Sequence, residues 1–281
     1  MYTLFDDHTK ESSHTMSKQK LFRAQDELDE LEVLAEQEKR EPALAALDTF
    51  LADGLIREVL YTVKSGKEAT VYCCEASPST GLDLVAAKVY RSRNRRVFKN
   101  DAIYQEGRVI LKGHVRRAVE NKSRFGREAQ FAMWVNYEYE ALKALHKTGA
   151  DIPRPLARSD NAILMEYLGD REQAAPALQF VDLPKDEVYP VFAKIMDNIQ
   201  LWLASDYVHA DLSAYNVLYW QGRVSIIDFP QAIDPRFNPN ALALLTRDIE
   251  NICHYMARYG LQRDGQRLAE RLWQRFRNAQ L

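Results

Sequence analysis

His209-Ala210-Asp211-Leu212-Ser213-Ala214-Tyr215-Asn216 is followed by Ile226-Ile227-Asp228-Phe229, with Asp228 twelve residues after Asn216. Between the two stretches, Val217–Trp220 and Arg223–Asp228 read as short strands joined across Gln221-Gly222. This order has a chemical consequence. A loop presents Asp211, the chain turns, Asn216 offers a carbonyl oxygen, and the hairpin returns Asp228 to the same place. A carboxamide beside a carboxylate is the hard-oxygen donor set that magnesium takes, sharing its octahedron with phosphate oxygens and water. Asp211 supplies an acceptor for a hydroxyl proton. Taken singly, Asp211 is explained as a turn cap and Asp228 as a strand end. Together, in this order and after a core helix, they point to chemistry. His209 reads as a hydrogen-bonded ring beneath the loop.

Working outward, Glu187 to Ala204 places Val188, Val191, Phe192, Ile195, Met196, Ile199, Trp202 and Leu203 at helical steps. Two further helices are expected near Ala241–Tyr259 and Arg263–Asn278. Upstream, Val59–Val63, Thr70–Cys74 and Leu84–Tyr90 read as strands of an antiparallel sheet, with turn residues Gly66, Pro78 and Gly81 between them. A helix follows from about Ala129 to Lys147. Pro153 and Pro155 break the chain, and Ala162–Leu168 is another strand.

Lys88 lies inside the apolar strand Leu84–Tyr90, so its ammonium must reach water or an anion. V-A-x-K strands and H-x-D-x-x-x-x-N loops are patterns of the protein-kinase fold, in which the lysine meets the α- and β-phosphates of ATP. Its expected partner is Glu138, on the same helix face as Trp134 and Leu142, where a charge calls for an opposite charge. Ser65-Gly66-Lys67-Glu68-Ala69 sits where a phosphate-covering loop belongs, with Ser65 and Lys67 as the contacts. A plain hairpin loop would explain it as well. Met165-Glu166-Tyr167-Leu168-Gly169 is the connector, and the backbone of Glu166 and Leu168 is placed to pair with adenine.

These segments together resemble the RIO family of atypical protein kinases, closest to its type-one branch, a bacterial-type member included. The resemblance covers residues 57–259. It rests on S-G-K-E-A-x-V-Y at Ser65–Tyr72, A-K-V-Y at Ala87–Tyr90, W-x-x-x-E-x-x-x-L at Trp134–Leu142, M-E-Y-L-G, H-A-D-L-S-x-Y-N-x-L at His209–Leu218 and I-I-D-F-P-Q-A at Ile226–Ala232. It implies an α+β, bilobal kinase-like fold. Residues 46–168 form a sheet-rich lobe and 169–281 a helical one, after an acidic, partly helical extension at 1–45. It implies Asp211 as catalytic residue, Lys88 on phosphates, and Asn216 and Asp228 on Mg2+, with Mn2+ as a substitute. It further implies an aspartyl-phosphate on Asp228 and a link to maturation of the small ribosomal subunit. Ala210 and Pro230 replace the arginine of H-R-D and the glycine of D-F-G, and no A-P-E motif follows. The activation loop and peptide-substrate platform are therefore expected to be missing.

Net charge is −2, which argues against a general polycation. Charge is uneven, however: residues 24–38 hold seven acids, whereas residues 91–127 hold 12 Lys/Arg against three Asp/Glu. The basic stretch interleaves Phe98, Tyr104 and Phe125, a texture that suits pre-ribosomal RNA or ribonucleoprotein and equally a solvated loop. Arg263, Arg267, Arg271 and Arg275 read as a solvated helical face. Three cysteines without a CxxC argue against a zinc site. No apolar run reaches membrane-span length, and Met1–Lys20 lacks an apolar signal core, so the expected location is cytoplasmic. Three functions remain open at this point: a serine/threonine kinase or ATPase, itself a candidate protein substrate; an ATP-gated RNA-binding assembly factor; and a small-molecule kinase, since antibiotic and choline kinases share the loop pattern.

Overall fold

The computed structural model describes residues 45–91, 117, 121 and 123–281. The acidic extension and most of the basic insert expected at 91–127 lie outside the described residues. Ala46–Leu281 belong to one compact unit.

Five strands form an antiparallel sheet: β1 (Ile56–Ser65), β2 (Ala69–Ala76), β3 (Leu84–Tyr90), β4 (Pro155–Arg158) and β5 (Ala162–Glu166), in the order β1-β2-β3-β5-β4. β3 is central and paired on both sides. Its Val85, Ala87 and Val89 are buried, which makes it a stiff mount for Lys88. Helix α1 (Arg124–Lys147) starts at Ser123, whose hydroxyl accepts from Gly126 N at 3.0 Å. It packs on β4 and β5 and buries Trp134, Val135, Leu142 and Leu145.

Two departures from the sequence reading have simple causes. Pro155 does not end the ordered chain but opens β4. That strand is at the sheet edge, where a residue lacking its N–H breaks no ladder bond. The second strand of the short hairpin, β7 (Arg223–Ile226), stops before Asp228, which instead adopts φ 77°. The hairpin partner is β6 (Val217–Trp220). Its turn has φ 49° at Gln221 and 80° at Gly222, the two positive values that a type I′ turn needs.

The second half is helical. Helix α2 (Lys185–Ala204) buries Val188, Phe192, Ile195, Ile199 and Trp202. Helices α3 (Ala241–Ala257) and α4 (Gly265–Arg277) pack together. The four arginines expected on this face do not all meet solvent: Arg263, just before α4, and Arg267 and Arg271 on it are exposed, whereas Arg275 donates to Gln200 Oε1 on α2 at 2.9 Å. After Asp228, residues 229–240 hold only turns and an isolated bridge from Ile233 to Val208, then pass into α3. Among the described residues, no helix is long and apolar enough to cross a membrane. The three cysteines are buried free thiols.

Candidate active site

The site is assembled from β3, α1, the loop 209–216 and the end of the β6–β7 hairpin. Lys88 Nζ lies 2.8 Å from Glu138 Oε1 and 2.6 Å from Asp228 Oδ1. Burial alone would lower the lysine pKa, but Asp228 and Glu138 outweigh it and hold the ammonium charged, well above its usual range. Glu138 is 1% exposed. Its other oxygen accepts from the Tyr90 hydroxyl, whose own pKa is pushed well up by burial and by that carboxylate. Tyr90 in turn packs edge-on against Trp134, with centroids 4.9 Å apart. The pair expected from sequence is therefore a four-member chain, Asp228–Lys88–Glu138–Tyr90.

Burial would raise the Asp228 carboxyl, but Lys88 dominates and leaves it below the ordinary carboxylate range. Asp211 moves the other way, raised by burial and by the negative charge of Asp228. Two carboxyls of unlike basicity thus face one site. Asn216 Nδ2 donates to Asp211 O at 2.9 Å, which fixes the carboxamide and directs its Oδ1 away from that bond. Ile227 N donates to Asn216 O at 2.9 Å and ties the loop to the hairpin end. His209 is buried and lies 4.5 Å from Phe229, centroid to centroid. Its Nδ1 accepts from Asp211 N at 3.3 Å and its Nε2 is 3.1 Å from Ile227 O. An acceptor at Nδ1 makes Nε2 the donor of a neutral ring. Burial lowers its pKa to about 4, so it braces the loop as an uncharged group.

The main residue that the sequence reading missed is Asp248 on α3. It is 1% exposed and accepts from Ala210 N at 2.7 Å and from Leu212 N at 2.9 Å. Burial pushes its carboxyl up to about 7, against the pull of those two N–H groups. Arg247 donates to Ala210 O, and Asn251 Nδ2 donates to Leu212 O at 2.9 Å. Four donors and acceptors from one face of α3 thus grip the residues on either side of Asp211. They hold Ala210 at φ 64°, a conformation that a side chain with a Cβ rarely adopts unaided. The sequence signal was an acid set among Leu244, Leu245, Ile249 and Ile252.

The remaining expected residues are farther from this cluster. Ser65 and Lys67 are exposed at the β1–β2 hairpin. Ser65 Oγ accepts from Arg91 Nη2 at 2.6 Å, and the same nitrogen reaches Thr70 Oγ1 at 3.1 Å. Glu166 is placed on the connector: its N donates to Arg154 O, and its carboxylate lies 3.8 Å from Arg223. Leu168 O accepts from Ala175 N at 2.9 Å. At Gly169, φ is 138° and an added Cβ would lie 2.4 Å from Gln173 O, so the chain can bend there only without a side chain. Tyr61 and Tyr167 hydroxyls, 2.7 Å apart, join β1 to the connector. A cleft of about 640 Å³ also lies against the connector. It is lined by Ile152, Leu168, Val191 and Tyr219, and by none of Lys88, Asp211, Asn216 and Asp228.

Residues 70–268 match the family described as RIO domain. The chain belongs to the RIO family. It is 30% identical over 161 residues to the RIO-type serine/threonine-protein kinase Rio1 of Thermoplasma acidophilum, covering 56% of this chain and 83% of that one. It is 31% identical to the Haloferax volcanii counterpart, covering 80% and 72%. Against the human serine/threonine-protein kinase RIO1 the identity is 28%, and the match spans 75% of this chain but only 35% of the human one. The RIO fold is also seen in a crystal structure of the Rio2 kinase from Chaetomium thermophilum, with a TM-score of 0.57 and 22% identity over 83% of this chain and 69% of that one. The family and the kinase-like α+β fold read from the sequence agree with these matches.

Proposed function

We propose that this RIO-family chain is an ATP- and magnesium-dependent phosphotransferase acting on serine or threonine hydroxyls. The observation that carries the reading is the ion-paired chain Glu138–Lys88–Asp228, with Asp211 facing it from a braced loop. The donor set fits the cation: Asp228 is an ionised carboxylate and Asn216 a fixed carboxamide. Among the described residues no cluster of three or more His, Cys, Asp or Glu could enclose a metal. Asp228 and Asn216 would hold magnesium, which when bound neutralises charge on the phosphates.

In this reading Lys88 binds the α- and β-phosphates, and Glu138, fixed by Tyr90, aims it. The Leu168 N–H and the Glu166 backbone orient adenine, while Ser65 and Lys67 cover the phosphates. The lobes 46–168 and 169–281 clasp the nucleotide between them. Asp211, made more basic by burial and by Asp228, takes the proton of the attacking hydroxyl. That oxygen bonds to the γ-phosphorus as the bond to the β–γ bridging oxygen breaks and ADP leaves. A second route has Asp228 itself as nucleophile, with water later cleaving the acyl phosphate. The Lys88 ammonium, 2.6 Å away, keeps the Asp228 carboxylate ionised, which favours this, and the Rio2 structure is described as an ADP/Mg2+-phosphoaspartate complex. The wider reading keeps Mn2+ as substitute cation, RNA contact through residues 91–127, a role in small-subunit maturation, and a cytoplasmic setting.

The test is incubation with γ-labelled ATP and magnesium, wild type beside Asp211→Asn and Asp228→Asn. Acid-stable label on serine, lost in Asp211→Asn, supports transfer to hydroxyls. Hydroxylamine-labile label lost only in Asp228→Asn supports the acyl-phosphate route. Absence of nucleotide binding would overturn both.

A further inference from the structure

The cleft of about 640 Å³ against the connector is separate from the proposed reaction site. No residue of β1, β2 or β3 lines it, so the strands around Lys88 have no part in it. Its volume falls within the range of small-molecule sites, which combine apolar walls with a few polar groups. Here Ile152, Leu168 and Val191 supply the apolar wall, each largely buried in the fold. Tyr219 adds an aromatic ring from β6.

Charge selects the occupant. The acids and bases lining the cleft are Asp151, Glu166, Glu187, Lys194, Arg223 and His146. Both strong bases already face an acid: Lys194 Nζ lies 3.2 Å from Asp151 Oδ2, and Arg223 Nη2 lies 3.8 Å from Glu166 Oε1. Glu187 is left over. No ion pair among the described residues reaches it, and its Oε2 is buried without a hydrogen-bond partner. Its place in the first turn of α2 suits an acid, because the helix dipole favours negative charge there. The dipole does not supply the missing donor, however, and buried polar atoms are normally satisfied. Three acids against two bases leave the lining one charge negative with His146 neutral, so an anionic ligand meets repulsion. A cation answers Glu187 and is attracted to an aromatic ring as well.

We propose that this cleft binds a small organic cation, an ammonium or guanidinium group on an apolar body. Glu187 is the counter-ion, Tyr219 the aromatic contact, and Ile152, Leu168 and Val191 enclose the body. The site does not depend on the phosphotransferase reading. Its occupant touches the connector and β7 without meeting Lys88, Asp211, Asn216 or Asp228. Glu166 and Leu168 are shared with the proposed adenine contact, which makes ATP the necessary competitor in the test.

The experiment uses the full chain and three probes built on one phenylethyl body: phenylethylamine, phenylethanol and phenylpropionate. Binding is followed by calorimetry and ligand-observed NMR, with and without excess ATP and magnesium. The amine is expected to bind about tenfold more tightly than the alcohol, and the carboxylate most weakly. Glu187→Gln should bring the amine to the level of the alcohol, and Glu187→Asp should keep part of the preference. Tyr219→Leu should weaken the amine more than the alcohol. ATP affinity of Glu187→Gln should match wild type, and its melting temperature should not fall. An amine that binds no better than the alcohol, a preference unchanged in Glu187→Gln, or displacement of the amine by ATP overturns the proposal. An intact, Glu187-dependent preference in a chain that binds no ATP would support this site while refuting the phosphotransferase reading.

Discussion

Replacing Asp248 by asparagine changes one atom in a shape-matched side chain, yet it should disable the loop that carries Asp211. The carboxylate accepts from two backbone N–H groups, Ala210 at 2.7 Å and Leu212 at 2.9 Å. A carboxamide has one acceptor oxygen, so its NH2 group must face the second N–H. Leaving one buried donor without an acceptor costs about 1–3 kcal/mol, and exchanging a charged for a neutral acceptor at the other weakens that bond by about 1 kcal/mol. The sum is about 3 kcal/mol. In a chain of this size that lowers the melting temperature by roughly 6–12 °C. Released from the clamp, Ala210 relaxes from φ 64° and Asp211 loses its aim. Turnover should fall about tenfold or more, while ATP affinity holds, because Asp248 touches nothing on the Lys88 side. The assay is thermal melting at pH 8 alongside ATP turnover and equilibrium nucleotide binding. A variant that melts within about 2 °C of wild type and turns over normally would refute the clamp.

Lys88→Met should lower turnover by about 100-fold or more. It should also destabilise the fold by about 3 kcal/mol, because Glu138, 1% exposed, keeps a charge with Tyr90 as its remaining partner. Adding Glu138→Gln should restore most of the stability and none of the activity, which melting and ATPase assays separate. Gly169→Ala should lose about 3 kcal/mol in denaturant unfolding, since its Cβ would sit 2.4 Å from Gln173 O; an unaltered midpoint would contradict the tight bend. His209 has its pKa lowered from 6.5 to about 4 in the folded chain. The unfolded chain therefore binds the extra proton between those values, and stability from this group is lost as pH falls from about 6.5 to about 4. The stability gap between wild type and His209→Gln should shrink by about 3 kcal/mol across that window.

The residues proposed to carry chemistry were legible because their types and intervals are those the proposed chemistry would require. A lysine in an apolar strand and a glutamate in an apolar helix stripe each demanded a partner, and the structure pairs them. The same logic applied to Asp248, flanked by Leu245 and Ile249, but no cation at a suitable interval answered it. Its partners are backbone N–H groups, which every loop possesses and no sequence pattern advertises. Tyr90 was hidden for a similar reason: a tyrosine ending a strand reads as core, and only the approach of α1 to β3 turns its hydroxyl toward Glu138. The edge strand at Pro155 was obscured by proline's usual role as a breaker. The backbone of Asp228 left the ladder because the loop bond from Ile227 N to Asn216 O replaces a strand pairing.

Arg91 follows β3 and opens the basic stretch. Its guanidinium is moored to Ser65 and Thr70, and its backbone N–H to Glu68 O at 2.9 Å. Arg91 is thus tethered directly to the lip of the β1–β2 hairpin. A load that reaches Arg91 is passed to that lip through these bonds. A fluorophore placed at Lys67 would act as a strain gauge for whatever engages the segment beyond.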